Sequence, residues 1–424
     1  ADHLWITPEG LTLIDFDTGP SAALDVPAYY DDSQVTQELQ LVYTSDRLSA
    51  VGGLFYMDAS ASGAFDTILG LANLSIATAG SVKTESFAAY ADVSYKVTDR
   101  FSVSVGGRYT KDDKEGEVYR QNFTGIRSPL FGNAAAVPGL LRTNYTNSRE
   151  FSEFTPRVSA TFEPSESWTL YASWGKGFKS GGFDMRGDGY IFPGTVDGYE
   201  PETVETTELG VKTSLADDRV RINAAVFSSD YKDQQITSQF AVGAAIVSFV
   251  DNAGQSSIDG VEIETSIAFT DSLSASLQVG YIDAQFDEFV TFNPATGLRE
   301  NLADQRAFQN TPEFTGSLSL NWNHSFGDRG VLTIVPAVSF RDDYQLFEAA
   351  NPAIDQKAYE LYDLTATWTA ADGKLSVSAS GRNLGDERYR VGGYVFPGAL
   401  FGNVQNGFYG PPRTYTLSLA YRFE

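Results

Sequence analysis

The chain has 424 residues, 42% of them hydrophobic and 13% aromatic, a formal net charge of -25 and no cysteine. Disulfide frameworks, thiolate nucleophiles and cysteine-based zinc sites are therefore excluded, and the acidic balance runs against nucleic acid, whose binding needs Lys and Arg to neutralise phosphates. A mean hydropathy of -0.21, with no apolar run near the roughly 20 residues a spanning helix needs, excludes helical spans but not spanning strands, which alternate and leave no hydropathy signal.

The chain opens Ala-Asp-His-Leu-Trp-Ile-Thr-Pro, without the basic and apolar regions of a secretory signal, which predicts a mature, trimmed or incomplete sequence. Residues 11–16 form the first predicted strand. Residues 38–44 and 50–56 then flank Ser45-Asp46-Arg47, the first of a series of hairpins with short polar turns. In the next, Phe87, Ala89, Ala91, Val93 and Tyr95 alternate with Tyr90, Asp92, Ser94 and Lys96, and Phe101, Val103 and Val105 alternate with Ser102, Ser104 and Arg108. Successive strand side chains point to opposite faces, so each strand has one apolar and one polar face.

The hairpin recurs at 156–162 with 168–174, 205–214 with 219–228, 261–269 with 273–281, 314–324 with 331–340, and 362–369 with 375–380. Pro336 falls inside one of these strands and, lacking an N–H, predicts a bulge or irregular pairing. The last strand, 414–423, places Tyr415, Leu417, Leu419, Tyr421 and Phe423 on one face and Thr416, Ser418, Ala420 and Arg422 on the other. Between hairpins the connections are long: 59–84, 111–149, 183–201, 232–257, 283–312, 341–359 and 386–412. Alternating short and long connections, with aromatics beside the short turns (Tyr95, Phe101, Phe162, Trp168, Phe326, Phe423), describe an all-β, antiparallel transmembrane barrel of about 16 strands. The periplasmic side is then the one with short turns, where the C-terminus lies.

On the polar faces, Arg108, Arg157, Arg219, Arg221 and Arg422 are expected to support the lumen rather than contact a ligand. Recognition is expected in the long connections. Phe183, Arg186, Tyr190 and Phe192 crowd one of them, and Arg390, Tyr394, Phe396 and Phe401 another. Aromatic faces and guanidinium groups suit a conjugated or anionic ligand such as a catecholate or hydroxamate chelate, while the same rings also serve to pack loops together. Asp112-Asp-Lys-Glu-Gly-Glu117 has carboxylates but not the spacing of a calcium loop, and reads as a solvated strand extension. Gly175-Lys-Gly-Phe-Lys-Ser-Gly lacks the spacing and following helix of a phosphate cradle. With only His3 and His324, no catalytic site, metal site or cofactor is predicted.

Several strings in order resemble the C-terminal part of a TonB-dependent outer-membrane receptor. They are Leu170-Tyr-Ala-Ser-Trp-Gly-Lys-Gly-Phe-Lys-Ser-Gly-Gly-Phe183, Tyr199-Glu-Pro-Glu202, Glu208-Leu-Gly-Val-Lys212, Ala224-Ala-Val-Phe227, Asp230-Tyr-Lys-Asp233, Asn252-Ala-Gly254, Gly260-Val-Glu-Ile-Glu264, Gly381-Arg-Asn-Leu-Gly-Asp-Glu-Arg-Tyr389 and Pro411-Pro-Arg-Thr-Tyr415. The resemblance implies residence in the outer membrane of a Gram-negative bacterium, in contact with lipid and lipopolysaccharide. It also implies energy-dependent uptake of a scarce nutrient, most commonly a ferric siderophore, with cobalamin, haem and oligosaccharides as alternatives, driven by TonB, ExbB and ExbD. Transporters of this kind have 22 strands around a plugged lumen. No TonB box or plug is recognisable here, so residues 1–424 are expected to be the C-terminal portion of such a barrel. The competing reading is a passive porin of about 16 strands.

Overall fold

The computed structural model describes residues 5–6, 11–15, 24–242, 245–293, 296, 298–347, 349–396 and 404–423. Two short strands, β1 (Trp5–Ile6) and β2 (Leu11–Asp15), precede β3 (Leu24–Thr44), β4 (Leu48–Leu69), β5 (Leu74–Thr98), β6 (Phe101–Thr124) and β7 (Pro138–Ser165). There follow β8 (Trp168–Lys179), β9 (Glu202–Leu215), β10 (Val220–Val242), β11 (Ala245–Ala268), β12 (Leu273–Asn293) and the short β13 (Leu298–Asn301). The chain continues through β14 (Phe314–Ser325), β15 (Val331–Arg341), β16 (Tyr359–Thr369), β17 (Leu375–Arg382), a separate hairpin of β18 (Arg390–Phe396) and β19 (Val404–Tyr409), and β20 (Thr414–Tyr421). Among the described residues the only helical pieces are short 3-10 turns.

From β3 to β12 each strand pairs antiparallel with the next; β12 then pairs β14, and the meander runs on through β17 to β20. β3 and β20 are not paired with each other among the described residues, so the sheet is a curved wall with two open edges. The predicted first strand is not a full member of this wall. Leu11–Asp15 pairs with residues 25–29 of β3, at the end away from the short turns, and on its other side with the two residues of β1.

The long connections differ more. Pairing of β4 with β5 continues to Leu69 and Leu74, of β6 with β7 to Phe123 and Pro138, and of β10 with β11 to Val242 and Ala245. Three of the seven predicted loops are thus largely ladder, and Asp112–Glu117 is a strand extension within β6. At 28 residues, β7 is far longer than the 9–11 or so that cross a bilayer. Beyond the lipid both faces are free to be polar, so the alternation that marks a spanning strand disappears while the hydrogen bonding does not.

At Pro336 the ladder with β14 stops at Ser319–Ala337 and resumes at Trp322–Ile334 in the same register. Pairing is interrupted without a bulge, and on its other side Pro336 still faces Leu364 in regular β15–β16 register. The apolar face points outward: Leu417 is 78% exposed, and Leu54, Val93, Val105, Val158, Leu209, Leu277 and Leu318 are exposed in turn around the wall. Tyr95, Phe162, Trp168, Phe326 and Phe423 are exposed at the short-turn end, as the girdle reading predicts. His324 belongs to this outer row, stacked 5.5 Å from Trp322 and edge-on to Phe326 at 4.6 Å.

The inner wall is polar and built in rows that cross a glycine. Asp92, Gly106 and Arg157 are neighbours on β5, β6 and β7, and Arg157 reaches over Gly106 to bond Asp92 at 2.8 Å. A Cβ on Gly106 would lie 2.2 Å from the Asp92 carboxylate. Tyr171 on β8 lies over Gly210 on β9, donates its hydroxyl to Glu208 at 2.6 Å and carries the Lys212 ammonium 5.8 Å from its ring centre. Arg108 stands 5.1 Å from the Phe55 ring centre and 5.8 Å from that of Tyr90, whose hydroxyl bonds Glu38. Arg219 departs from expectation: it sits at the short-turn rim and pairs with Asp271 at 3.3 Å.

Two outcomes are expected. Leu318→Arg, on the outward face at the middle of β14, should lower the unfolding free energy in lipid vesicles by about 2–4 kcal/mol, while Ser319→Arg on the inner face should cost under about 1 kcal/mol. Gly210→Ala places a Cβ 2.3 Å from the Tyr171 ring and should cost about 1–3 kcal/mol by overpacking, read as a lower Tm in detergent. An unchanged Tm would show that the ring is not seated on this glycine.

Candidate functional site

The end of the wall away from the short turns carries the segments that leave the ladder. Residues 182–199 form a closed loop between β8 and β9, its base fastened by reciprocal backbone bonds between Gly182 and Tyr199 of 3.1 and 2.9 Å. Compact loops whose ends meet in this way are often functional. Gly198, with φ of +73°, adopts a conformation that disfavours a side chain, and a Cβ there would meet the Gly182 carbonyl at 2.4 Å.

This loop folds onto the inner face of the extended β5–β6–β7 ladder. Phe183 is buried and seated on Gly116, and Met185 rests over Gly80. By the unbroken β5–β6 register Gly116 shares the face of Arg108, so the loop covers the lumen side. Along β7, Arg142 donates through Nε to Asp188 at 2.7 Å and forms an ion pair with it, both groups being buried. Thr143 donates to the Gly187 carbonyl and accepts from the Gly189 N–H. Asn147 donates to the Val196 carbonyl, and Arg149 donates to the Asp197 carbonyl and pairs with Glu200. We refer to residues 182–199 as the lid.

The predicted residues of this loop separate in role. Phe183 packs, 6.3 Å from the Tyr145 ring, and burial followed by the Asp184 charge pushes the Tyr145 hydroxyl up to about 12. Arg186 is held by Asp184 at 3.0 and 3.2 Å and reaches Thr237 on β10. Tyr190 is 64% exposed and is anchored through its N–H to the Arg142 carbonyl. Phe192 packs on Phe249 of β11 with ring centres 4.7 Å apart.

Phe192, Phe249, Tyr199, Asp184, Asp251 and Arg299 line a cavity of about 250 Å³ between the lid and β11. Arg299 of β13 pairs with Asp251 at 2.6 Å inside it, so the cavity offers aromatic faces beside a neutralised charge pair. Only Phe192 of its lining was predicted. The others come from β11, β13 and the foot of the lid, and nothing in their spacing shows that the fold brings them together.

The second predicted group serves a different structure. Arg390 donates through its N–H to the Gln356 side chain at 2.7 Å and through Nη1 to the Asp355 carbonyl at 3.0 Å, and its carbonyl accepts from the Tyr344 hydroxyl. Tyr394 meets Phe408 edge-on at 5.8 Å across the β18–β19 hairpin. These contacts surround a core of Tyr344, Leu346, Ile354 and Tyr359 that ties the segment after β15 to the one after β17. The Phe396 side chain and Phe401 lie outside the described residues. No contact joins the two predicted groups among the described residues.

Many of the quoted strings are the fastenings of these segments. Asn252 accepts from the Glu200 N–H at 2.7 Å and donates to the Glu200 and Asp233 carbonyls at 2.8 Å, fixing Tyr199–Glu202 to β10 and β11. Gln235 binds the Glu202 carboxylate and three carbonyls around the lid's foot. Asn383, in left-handed backbone, spans the Glu387 and Pro411 carbonyls and takes the Asp363 carboxylate on its own N–H. Arg413 then closes onto Asp386 and the Leu384 carbonyl.

Comparison with known proteins agrees with this architecture. The pesticin receptor of Yersinia enterocolitica is 24% identical over 340 residues, which cover 78% of this chain and 44% of that one. The metal-pseudopaline receptor CntO of Pseudomonas aeruginosa is 26% identical over 281 residues, covering 63% and 33%. The chain thus spans less than half the length of these relatives. The crystal structure of the ferric yersiniabactin uptake receptor FyuA from Yersinia pestis shares the fold with a TM-score of 0.74 at 20% identity, over 98% of this chain and 57% of that one. The model of the TonB dependent receptor-like β-barrel matches residues 9–384, and the chain belongs to that family.

Proposed function

We propose that residues 1–424 are the C-terminal barrel portion of an outer-membrane receptor that imports a scarce nutrient, a ferric siderophore, using energy delivered by TonB, ExbB and ExbD. The observation that carries this reading is the lid folded over the polar inner wall, with a cavity of Phe192, Phe249, Tyr199, Asp251 and Arg299 at its edge. Concave sites with a few placed polar groups among aromatic walls suit small ligands. Several relatives are receptors for metal chelates by name, CntO and the siderophore receptor PiuA of Acinetobacter baumannii among them. In this reading the short turns face the periplasm and the lid faces the outside, where Tyr190 is open to an arriving ligand. Arg390 and Tyr394 hold the opposite part of the mouth in shape rather than touch cargo. The alternative reading is a passive porin of about 16 strands.

Iron-starved cells carrying the receptor should accumulate radiolabelled iron from a panel of ferric siderophores only when TonB is present. Uptake independent of TonB, and of every chelate offered, would favour the porin. Phe192→Ala should weaken binding of the accepted chelate about tenfold, some 1.4 kcal/mol, without lowering the amount of folded receptor. Tyr394→Phe should leave binding unchanged.

A further inference from the structure

The lid covers a buried charge that it does not neutralise. Arg120 on β6 is only 5% exposed, lies on the inner face beneath the lid, and donates through Nη1 to the Arg186 carbonyl at 2.6 Å. Its Nε has no partner among the described residues. The charges around it are Asp188, Asp184, Arg142 and Arg186. Both carboxylates are taken: Asp188 by Arg142 and Asp184 by Arg186. Three guanidinium groups therefore share two carboxylates. Burial pushes the Arg120 guanidinium down to about 10 against the pull of Asp188.

Two more polar atoms on this face have no partner among the described residues: the hydroxyl of the fully buried Thr78, directly across the β5–β6 register from Arg120, and the side-chain oxygen of Asn122. The closed lid thus offers the Arg120 cation one carbonyl, at Nη1, and leaves its Nε dry. An uncompensated buried charge is among the most destabilising features an interior holds. The Arg142–Asp188 pair and the bonds along β7 hold the lid against that cost.

We infer that the lid is a latch: the Arg142–Asp188 pair and its neighbours on β7 catch it closed, and the desolvated Arg120 on β6 drives it open, so that the segment is poised to lift from the inner wall. Two-state elements of this kind need opposing contributions of similar size, each set by separate residues. The catch and the spring lie on different strands and can be altered one at a time. Transport plays no part in this inference, and a failure of either leaves the other standing.

The chain has no cysteine, and a Cβ at Gly194, within the lid, meets nothing within 4 Å. Gly194→Cys therefore accepts a nitroxide label whose mobility reports the lid in the receptor purified into lipid nanodiscs without ligand. Arg120→Met, which keeps bulk and removes charge, should lower the mobile fraction by at least about twofold. Thr78→Asp, which supplies a carboxylate opposite Arg120, should do the same, and Asp188→Asn should raise it. Heat-modifiable gel migration confirms folding of each variant, and Arg120→Gln replaces Arg120→Met if the latter does not assemble. An unchanged or higher mobile fraction on neutralising Arg120 overturns the proposal. A fall with Arg120→Met but not Thr78→Asp would trace the effect to packing rather than charge and would overturn it too, as would an Asp188→Asn lid no looser than the original.

Discussion

A strand facing hydrocarbon has no water to satisfy its backbone, so every N–H and C=O must find a partner on a neighbouring strand. That requirement explains the unbroken meander from β3 to β20 and the tight turns at one end, where pairing passes directly from strand to strand. It also explains the behaviour at Pro336. The missing N–H costs the β14 side two bridged positions, but the register is the same on both sides, because a slip by one residue would turn the outward-facing Leu332, Ile334, Val338 and Phe340 into the lumen.

Within that frame, glycine and aromatic residues form a second layer of order. At several points where a long inner side chain lies over a neighbouring strand, that strand offers no Cβ: Gly106 lies under the Asp92–Arg157 pair, Gly210 under Tyr171, Gly260 under Phe227 and, beneath the lid, Gly116 under Phe183. The rings cover backbone that would otherwise be bare, a device also used to restore strands weakened by glycine. Glu208, Gly210 and Lys212 thus act as one seat for Tyr171, which gives that short string a physical meaning independent of any ligand. Asn252, Gln235, Asn383 and Arg413 do the equivalent work at the roots of the mouth segments.

The spanning strands were legible because lipid on one side and a polar lumen on the other impose alternation, as along Phe87–Tyr95 or Tyr415–Phe423. The upper halves of β5, β6, β7 and β10 were not, because outside lipid neither face is compelled to be apolar, and residues such as Asp112–Glu117 read the same whether paired or loose. The site was half legible. Aromatic and arginine crowding pointed to the lid, where Phe192 lines the cavity and Phe183 is buried against Gly116, whereas Arg390 lies in a separate segment, bonded to Gln356 and Asp355. Asp251, Arg299 and Phe249 were invisible, since they come from strands about 50 to 115 residues from the lid and meet it only through the register of β10, β11 and β12. Arg120, Arg142 and Asp188 carry no local signature at all; their importance arises from being covered.

The length of the paired strands also links mouth to wall. At about 3.3 Å per residue, the part of β7 beyond a bilayer crossing stands several tens of ångströms clear of the lipid, and β6 is hydrogen-bonded to it over most of that height. The lid is fastened near the upper half of this ribbon, through Arg142, Thr143 and Asn147, and the Asp92–Arg157 crosspiece ties the same ribbon near its foot. The lid and the wall of the lumen are thus joined by one continuous paired strand, which carries Arg142 at the mouth and Arg157 below.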